Sequence, residues 1–153
     1  MTMSSDPAHP APRSTFGVRK PGLIYRPRPG AYAVILNSQM EVAVIQVKDK
    51  FFLPGGGIHH GEPVEDALQR EAVEETGWSI TIGSLIGEAI DYIEVRERGP
   101  YYEIQSRFFQ AEFSVKIGTP QDPDHHLVWL PDNEASRKLR RESQAWIISR
   151  LLT

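Results

Sequence analysis

The sequence predicts a mixed α/β fold in which helices cover a mixed β-sheet. Three observations carry this prediction. Runs rich in β-branched and aromatic residues recur between residues 31 and 130. Helical patterns occupy residues 63–76 and 131–152. The two kinds of segment do not alternate strictly, which argues against a purely parallel sheet. A length of 153 residues, with 40% hydrophobic and 24% charged side chains, suits one domain with one substantial core.

Residues 1–15 hold Pro7, Pro10 and Pro12 among Ser, Ala and Asp, and read as a flexible Pro-rich tail preceding a single domain at 16–153. Residues 16–30 read as irregular, with Pro21, Pro27 and Pro29. Apolar runs at 31–36 and 42–47 flank Asn37-Ser38-Gln39 and predict a hairpin. A short strand at 51–53 leads into Pro54-Gly55-Gly56-Gly57, read as a loop. The helix at 63–76 has Pro63 at its start, Glu65 and Asp66 in its first turn, and Gly77 at its end. Strand signals follow at 80–93 and 101–115 around a turn near Gly99-Pro100, then at 126–130. The last helical stretch, 131–152, is predicted to break near 138–141.

Composition excludes several classes of function. The net charge is −3, without the basic excess of a duplex-binding protein. No cysteine is present, which removes disulfides, zinc–thiolate sites and thiol nucleophiles. No apolar run is long enough to span a membrane, and the N-terminus lacks the apolar core of a signal peptide. A cytoplasmic setting fits these features, and they leave homodimerisation open. The basic run Arg137, Lys138, Arg140 and Arg141 reads as a solvated helix face balanced by Glu134 and Glu142.

On a helical wheel, Val64, Ala67 and Leu68 form the core-facing stripe of the 63–76 helix. Glu71, Ala72 and Glu75 continue the stripe, and Glu74 lies beside it. The stripe thus turns acidic in its last two turns. Two carboxylates about 6 Å apart repel by roughly 3 kcal/mol at an effective dielectric of 20. A divalent cation reverses that sign, and hard cations take carboxylate oxygens. Glutamates at a helix C-terminus also oppose the macrodipole. The three glycines before the helix let the backbone approach a ligand closely.

Gly56, Glu62 and the run Arg70-Glu71-Ala72-Val73-Glu74-Glu75-Thr76-Gly77-Trp78 together resemble a complete Nudix box over residues 56–78. Outside the box, residues 31–47 and 124–130 are similar to family segments more loosely. The resemblance implies an α/β/α sandwich with a mixed sheet. It also implies a metal-dependent pyrophosphohydrolase acting on a nucleoside diphosphate-X type small molecule, with a non-catalytic nucleotide-sensing module as the alternative. It implies magnesium or manganese held by Glu71, Glu74, Glu75 and the Gly55 carbonyl. Arg70 would orient a catalytic glutamate, and Gly56, Gly57 and Glu62 would support the loop. Glu75 or Glu74 is the expected general base. Asp122, Asp124, His125 and His126 are the late-loop alternatives. Substrate-binding residues are not legible. Tyr25, Tyr32, Tyr92, Tyr101 and Tyr102 are candidate stacking residues, and Arg26, Arg28 and Arg107 candidate phosphate holders.

Overall fold

The computed structural model describes residues 10–95 and 99–151. Its strands are β1 (Arg13–Phe16), β2 (Tyr25–Ile35), β3 (Glu41–Val47), β4 (Lys50–Phe52), β5 (Gly55–Gly57), β6 (Trp78–Glu94), β7 (Tyr101–Lys116) and β8 (His125–Pro131). Its helices are α1 (Val64–Thr76), α2 (Asp132–Lys138) and α3 (Glu142–Arg150). Five strands form a mixed sheet in the order β1-β6-β7-β2-β5, and three form a second sheet in the order β4-β3-β8. The β1–β6 and β2–β7 pairs are parallel, and the other pairs are antiparallel.

Alternation along β2 builds the layers. Ala31, Ala33 and Ile35 pack with Leu68 and Ala72 of α1, while Val34 packs with Ile147 and Ile148 of α3. The alanines on the α1 side let that helix approach the sheet closely. Helices therefore cover both faces of the sheet, giving the α/β/α sandwich that the sequence implies.

Three differences from the sequence reading have physical causes. The 31–47 hairpin has its turn, in which Asn37 Oδ1 accepts the amides of Gln39 and Glu41 at 3.0 and 2.9 Å. Beyond the single Leu36–Val42 bridge, however, β2 and β3 part into different sheets. The second half of β2, from Gly30, and the middle of β3 are buried on both faces, so each requires its own neighbours and cover. Next, Arg13–Phe16 is a strand on β6 and not part of a tail, so the 1–15 boundary is corrected there; residues 1–9 lie outside the described residues. Phe16 packs on Trp146, and the Pro12 carbonyl accepts the Glu88 amide at 2.9 Å. Finally, β2 begins at Tyr25 despite Pro27 and Pro29. The Pro29 carbonyl accepts the Ile58 amide, so the ring nitrogens of both prolines face the side away from β7. Among the described residues no strand pairs with that side at Pro27, so no amide is needed there.

Candidate active site

The α1 helix begins after Pro63, which is extended, and carries Glu65 and Asp66 in its first turn. It ends at Gly77, whose φ of 79° is left-handed and whose amide donates to the Val73 carbonyl. A Cβ at Gly77 would run into the backbone of Gly118. The loop after β7 is bound to this helix end. The Ile117 and Gly118 amides donate to the Gly77 carbonyl at 2.7 and 3.0 Å, and Gln121 donates to the Glu74 carbonyl at 2.8 Å. Helix-end carbonyls are thereby satisfied, and the following residues are drawn over the acidic face of α1.

The three glycines form β5 rather than a free loop, paired antiparallel to Gly30–Tyr32. Gly55 has a φ of 142°, and a Cβ there would strike Ala31 and Tyr32. A Cβ at Gly56 would lie 2.6–2.8 Å from the Glu71 carboxyl atoms. Gly56 thus has no side chain because Glu71 occupies that space.

Glu75 is 9% exposed, and its Oε1 accepts the Gly55 amide at 2.7 Å. Burial pushes the Glu75 carboxyl up to about 8, and the nearby charges of Glu71 and Glu74 add to the rise. Burial also raises the Glu71 carboxyl, against the pull of Arg70. Arg70 is the hub of the cluster. Its Nε and Nη2 grip both oxygens of Glu62 at 2.9 and 3.0 Å, Nη1 donates to Glu71 at 3.0 Å, and Nη2 donates to the Gly57 carbonyl at 3.0 Å. Glu74 lies 3.5 Å from Nη1. The fork-on-carboxylate bond from Arg70, with the His59 amide bond, holds Glu62 down at about 2. Glu62 therefore anchors Arg70 and the loop.

Glu71, Glu74 and Glu75 line one open cleft of ≈ 400 Å³ with Gln121, Asp122, Pro123 and His125. His125 bridges two acids, with Nδ1 3.9 Å from Glu75 and Nε2 3.6 Å from Asp122. Of the late-loop candidates, Asp122 and His125 face the carboxylates, whereas Asp124 and His126 do not line the cleft. Among the described residues, no three acidic or imidazole groups converge as a ready-made metal cage. Arg70 occupies one oxygen of Glu71, and the Gly55 amide one of Glu75.

Across β5 lies a second cleft of ≈ 260 Å³, lined by Arg28, Tyr32, Gly57, Ile93, Tyr102 and Arg141 among others. Arg28 sits 4.3 Å over the Tyr102 ring and donates to its hydroxyl at 3.0 Å. Burial pushes the Tyr32 hydroxyl up to about 12, opposed by Arg141 and reinforced by Glu75 and Glu71. Tyr32 thus feels both the acidic cluster and the cleft cation. The Arg141 carbonyl accepts the Ala145 amide at 3.1 Å, while its guanidinium lines the cleft without a side-chain hydrogen bond or ion pair among the described residues. The sequence reading counted it with a solvated basic run, because only tertiary packing separates it from Arg137, Lys138 and Arg140. The other candidates go elsewhere. Tyr25 packs edge-on against Tyr92 and at a tilt against Tyr101, and Arg107 lies 3.6 Å from Glu88.

A glycine strand is thus set against an acidic helix stripe, half-buried at Glu71 and Glu74 and buried at Glu75, inside an α/β/α sandwich. The sequence profile of the NUDIX domain matches residues 26–151, and the chain belongs to the Nudix hydrolase family. A Bacillus subtilis (strain 168) protein with the provisional name 8-oxo-dGTP diphosphatase is 33% identical over 82 residues, covering 52% of this chain and 50% of that protein. The 8-oxo-dGDP phosphatase NUDT18 of Mus musculus is 32% identical over 107 residues, covering 65% of this chain and 31% of its own length. The chain thus spans half or less of these relatives. The fold is similar to that of a NUDIX hydrolase from Nitrosomonas europaea, with a TM-score of 0.65 and 22% identity, covering 83% of this chain and 89% of that one.

Proposed function

We propose that this chain is a metal-dependent pyrophosphohydrolase that cleaves a nucleoside diphosphate-X type small molecule by attack of water at phosphorus. The observation that carries the reading is the Glu75 carboxylate, buried, held on one oxygen by the Gly55 amide, and open on the other to the cleft shared with Glu71 and Glu74. A carboxylate buried in this way needs a cation to ionise at neutral pH. Glu71, Glu74, Glu75 and the Gly55 carbonyl offer only oxygen donors, which fit magnesium or manganese. Glu71, Glu74, Glu75 and the Gly55 carbonyl would hold the metal. Bound there, a divalent ion would supply charge neutralisation at the phosphates and a more acidic water.

The chain's own residues do the rest. Glu62 fixes Arg70, and Arg70 fixes Glu71. Glu75 or Glu74 accepts the proton of the attacking water, with His125 and Asp122 on the facing wall. Tyr102, Tyr32, Arg28 and Arg141 receive the nucleoside side of the substrate in the second cleft, where aromatic faces and a few polar groups can select it. The names of the relatives support including oxidised guanine nucleotides among the candidates.

The test is a substrate panel of 8-oxo-dGTP, 8-oxo-dGDP, ordinary nucleoside triphosphates, nucleotide sugars and dinucleotides, read by released phosphate or pyrophosphate. Turnover of at least one member with magnesium or manganese is expected. No turnover of any member with either metal would sink the reading.

A further inference from the structure

The backbone just before Glu75's partner is suspended between two helices. The Leu53 amide donates to Gln144 Oε1 at 2.8 Å, and the Gly55 amide donates to Glu75 Oε1 at 2.7 Å. Between them, the Pro54 carbonyl accepts the Ala33 amide at 2.8 Å. Just upstream, the Phe51 carbonyl accepts the Arg140 amide at 2.9 Å. Glu75 belongs to α1, and Gln144 belongs to α3. Gln144 is 1% exposed and reaches a residue 91 positions earlier in the chain. The start of α3 is itself held from outside. Its cap residue Arg141 makes no side-chain cap bond, and Asp91 Oδ1 from β6 accepts the Ser143 amide at 3.3 Å.

We propose that Gln144 is a positioning residue for Glu75, acting through the Leu53–Gly55 backbone. The proposal rests on the role given to Glu75 above. Leu53 is fully buried, so its amide has no water to turn to if Gln144 is removed. Pro54 has no amide, so the next donor along the chain is Gly55. A shift at Leu53 is therefore passed to the hydrogen bond that Gly55 gives the buried Glu75 carboxylate. Neither Gln144 nor Leu53 lines the second cleft, so nucleoside binding should change less than turnover.

The test uses the full chain with Gln144→Met, which removes the acceptor, and Gln144→Glu, which keeps an acceptor oxygen. Amide hydrogen exchange is followed at Leu53, Gly55 and, as an internal reference in central β7, Phe108. The kcat and KM are measured on the most active nucleotide of the panel. For Gln144→Met, exchange at Gly55 should rise at least about tenfold while Phe108 is unchanged, because a local opening is created without global loss. Its kcat should fall about tenfold or more with KM within about twofold. Gln144→Glu should keep both readouts within about threefold of the parent. Unchanged Gly55 protection and kcat in Gln144→Met would overturn the proposal, as would an equal rise at Phe108. If the methionine variant fails to fold, Gln144→Asn, whose oxygen is withdrawn by one methylene, must show the same selective loss at Gly55, and an equal loss at Phe108 would overturn the proposal. If the parent hydrolyses nothing on the panel, the reading of Glu75 fails, and exchange at Gly55 alone decides the role of Gln144.

Discussion

The Gly55 amide donates a 2.7 Å hydrogen bond to the carboxylate of Glu75, twenty residues further along the chain. This bond ties the glycine strand to the acidic end of α1. It also sets one oxygen of a buried acid in place and leaves the other facing the cleft.

Without metal, the ionised Glu75 carboxylate is a liability to the fold. Its pKa is about 8 folded and near 4.5 unfolded. The folded state therefore binds the extra proton, and stability falls as pH rises from 4.5 through about 8. Glu75→Gln should flatten that fall and raise metal-free stability at pH 8, on the order of a few kcal/mol. It should also remove most activity. Urea melts in chelator across pH 4.5–8 test this. A variant less stable than the parent at pH 8 would show that Glu75 is a structural acid.

Glu62 has the opposite sign. Arg70 holds its pKa at about 2, below its ordinary 4.5. Its stabilising contribution is fully present above pH 4.5 and is lost as pH falls through about 2. Glu62→Gln should remove that part of the acid limb. It should also lower kcat by about tenfold or more, since Arg70 loses the fork that aims it at Glu71. Unchanged kcat would show that Arg70 needs no anchor.

Two glycines should fail in different ways. Gly56→Ala places a methyl against the Glu71 carboxyl, the end of a side chain, so turnover should collapse while the melt changes little. Gly77→Ala meets the Gly118 backbone at a left-handed φ, so stability should drop by about 1–3 kcal/mol. Kinetics and thermal melts on both variants check the contrast. A stable, fully active Gly56→Ala enzyme would contradict the close packing of Glu71.

The acidic helix, its caps and the glycine run were legible in the sequence because their signals are local. The α1 stripe from Val64 to Glu75 follows from spacing, and Gly77 marks the helix end. The partners of long-range pairs were not legible. Apolar runs at β2 and β3 are buried on both faces, and nothing in them says that they enter different sheets. The strand at Arg13–Phe16 alternates exposed and half-buried residues next to prolines, which reads as tail. Gln144 meets the Leu53 amide, and Arg141 shares a cleft with Tyr32, only through the tertiary fold, so no pattern in residues 139–144 announces them.

Arg141 and its basic neighbours should separate cleanly. Arg141→Ala should raise KM for the best nucleotide by about tenfold with kcat nearly unchanged, as expected for a binding contact. Substitution of Arg137, Lys138 and Arg140 together should leave KM within about twofold, because none lines the nucleoside cleft. A short 5′-capped RNA should be a poorer substrate than the best small nucleotide at physiological salt, since the net charge is −3 and, apart from this run, the basic residues are dispersed along the sequence. A higher kcat/KM for the RNA, falling steeply with salt, would assign the run to binding.

The most direct measurement is turnover of the best panel nucleotide as divalent metal is removed and restored. Hydrolysis should stop in excess chelator and return when magnesium or manganese is added back, and Glu75→Gln should stay inactive at every metal concentration. Undiminished hydrolysis in excess chelator, or full activity in Glu75→Gln, would contradict a metal-dependent site built on Glu71, Glu74 and Glu75.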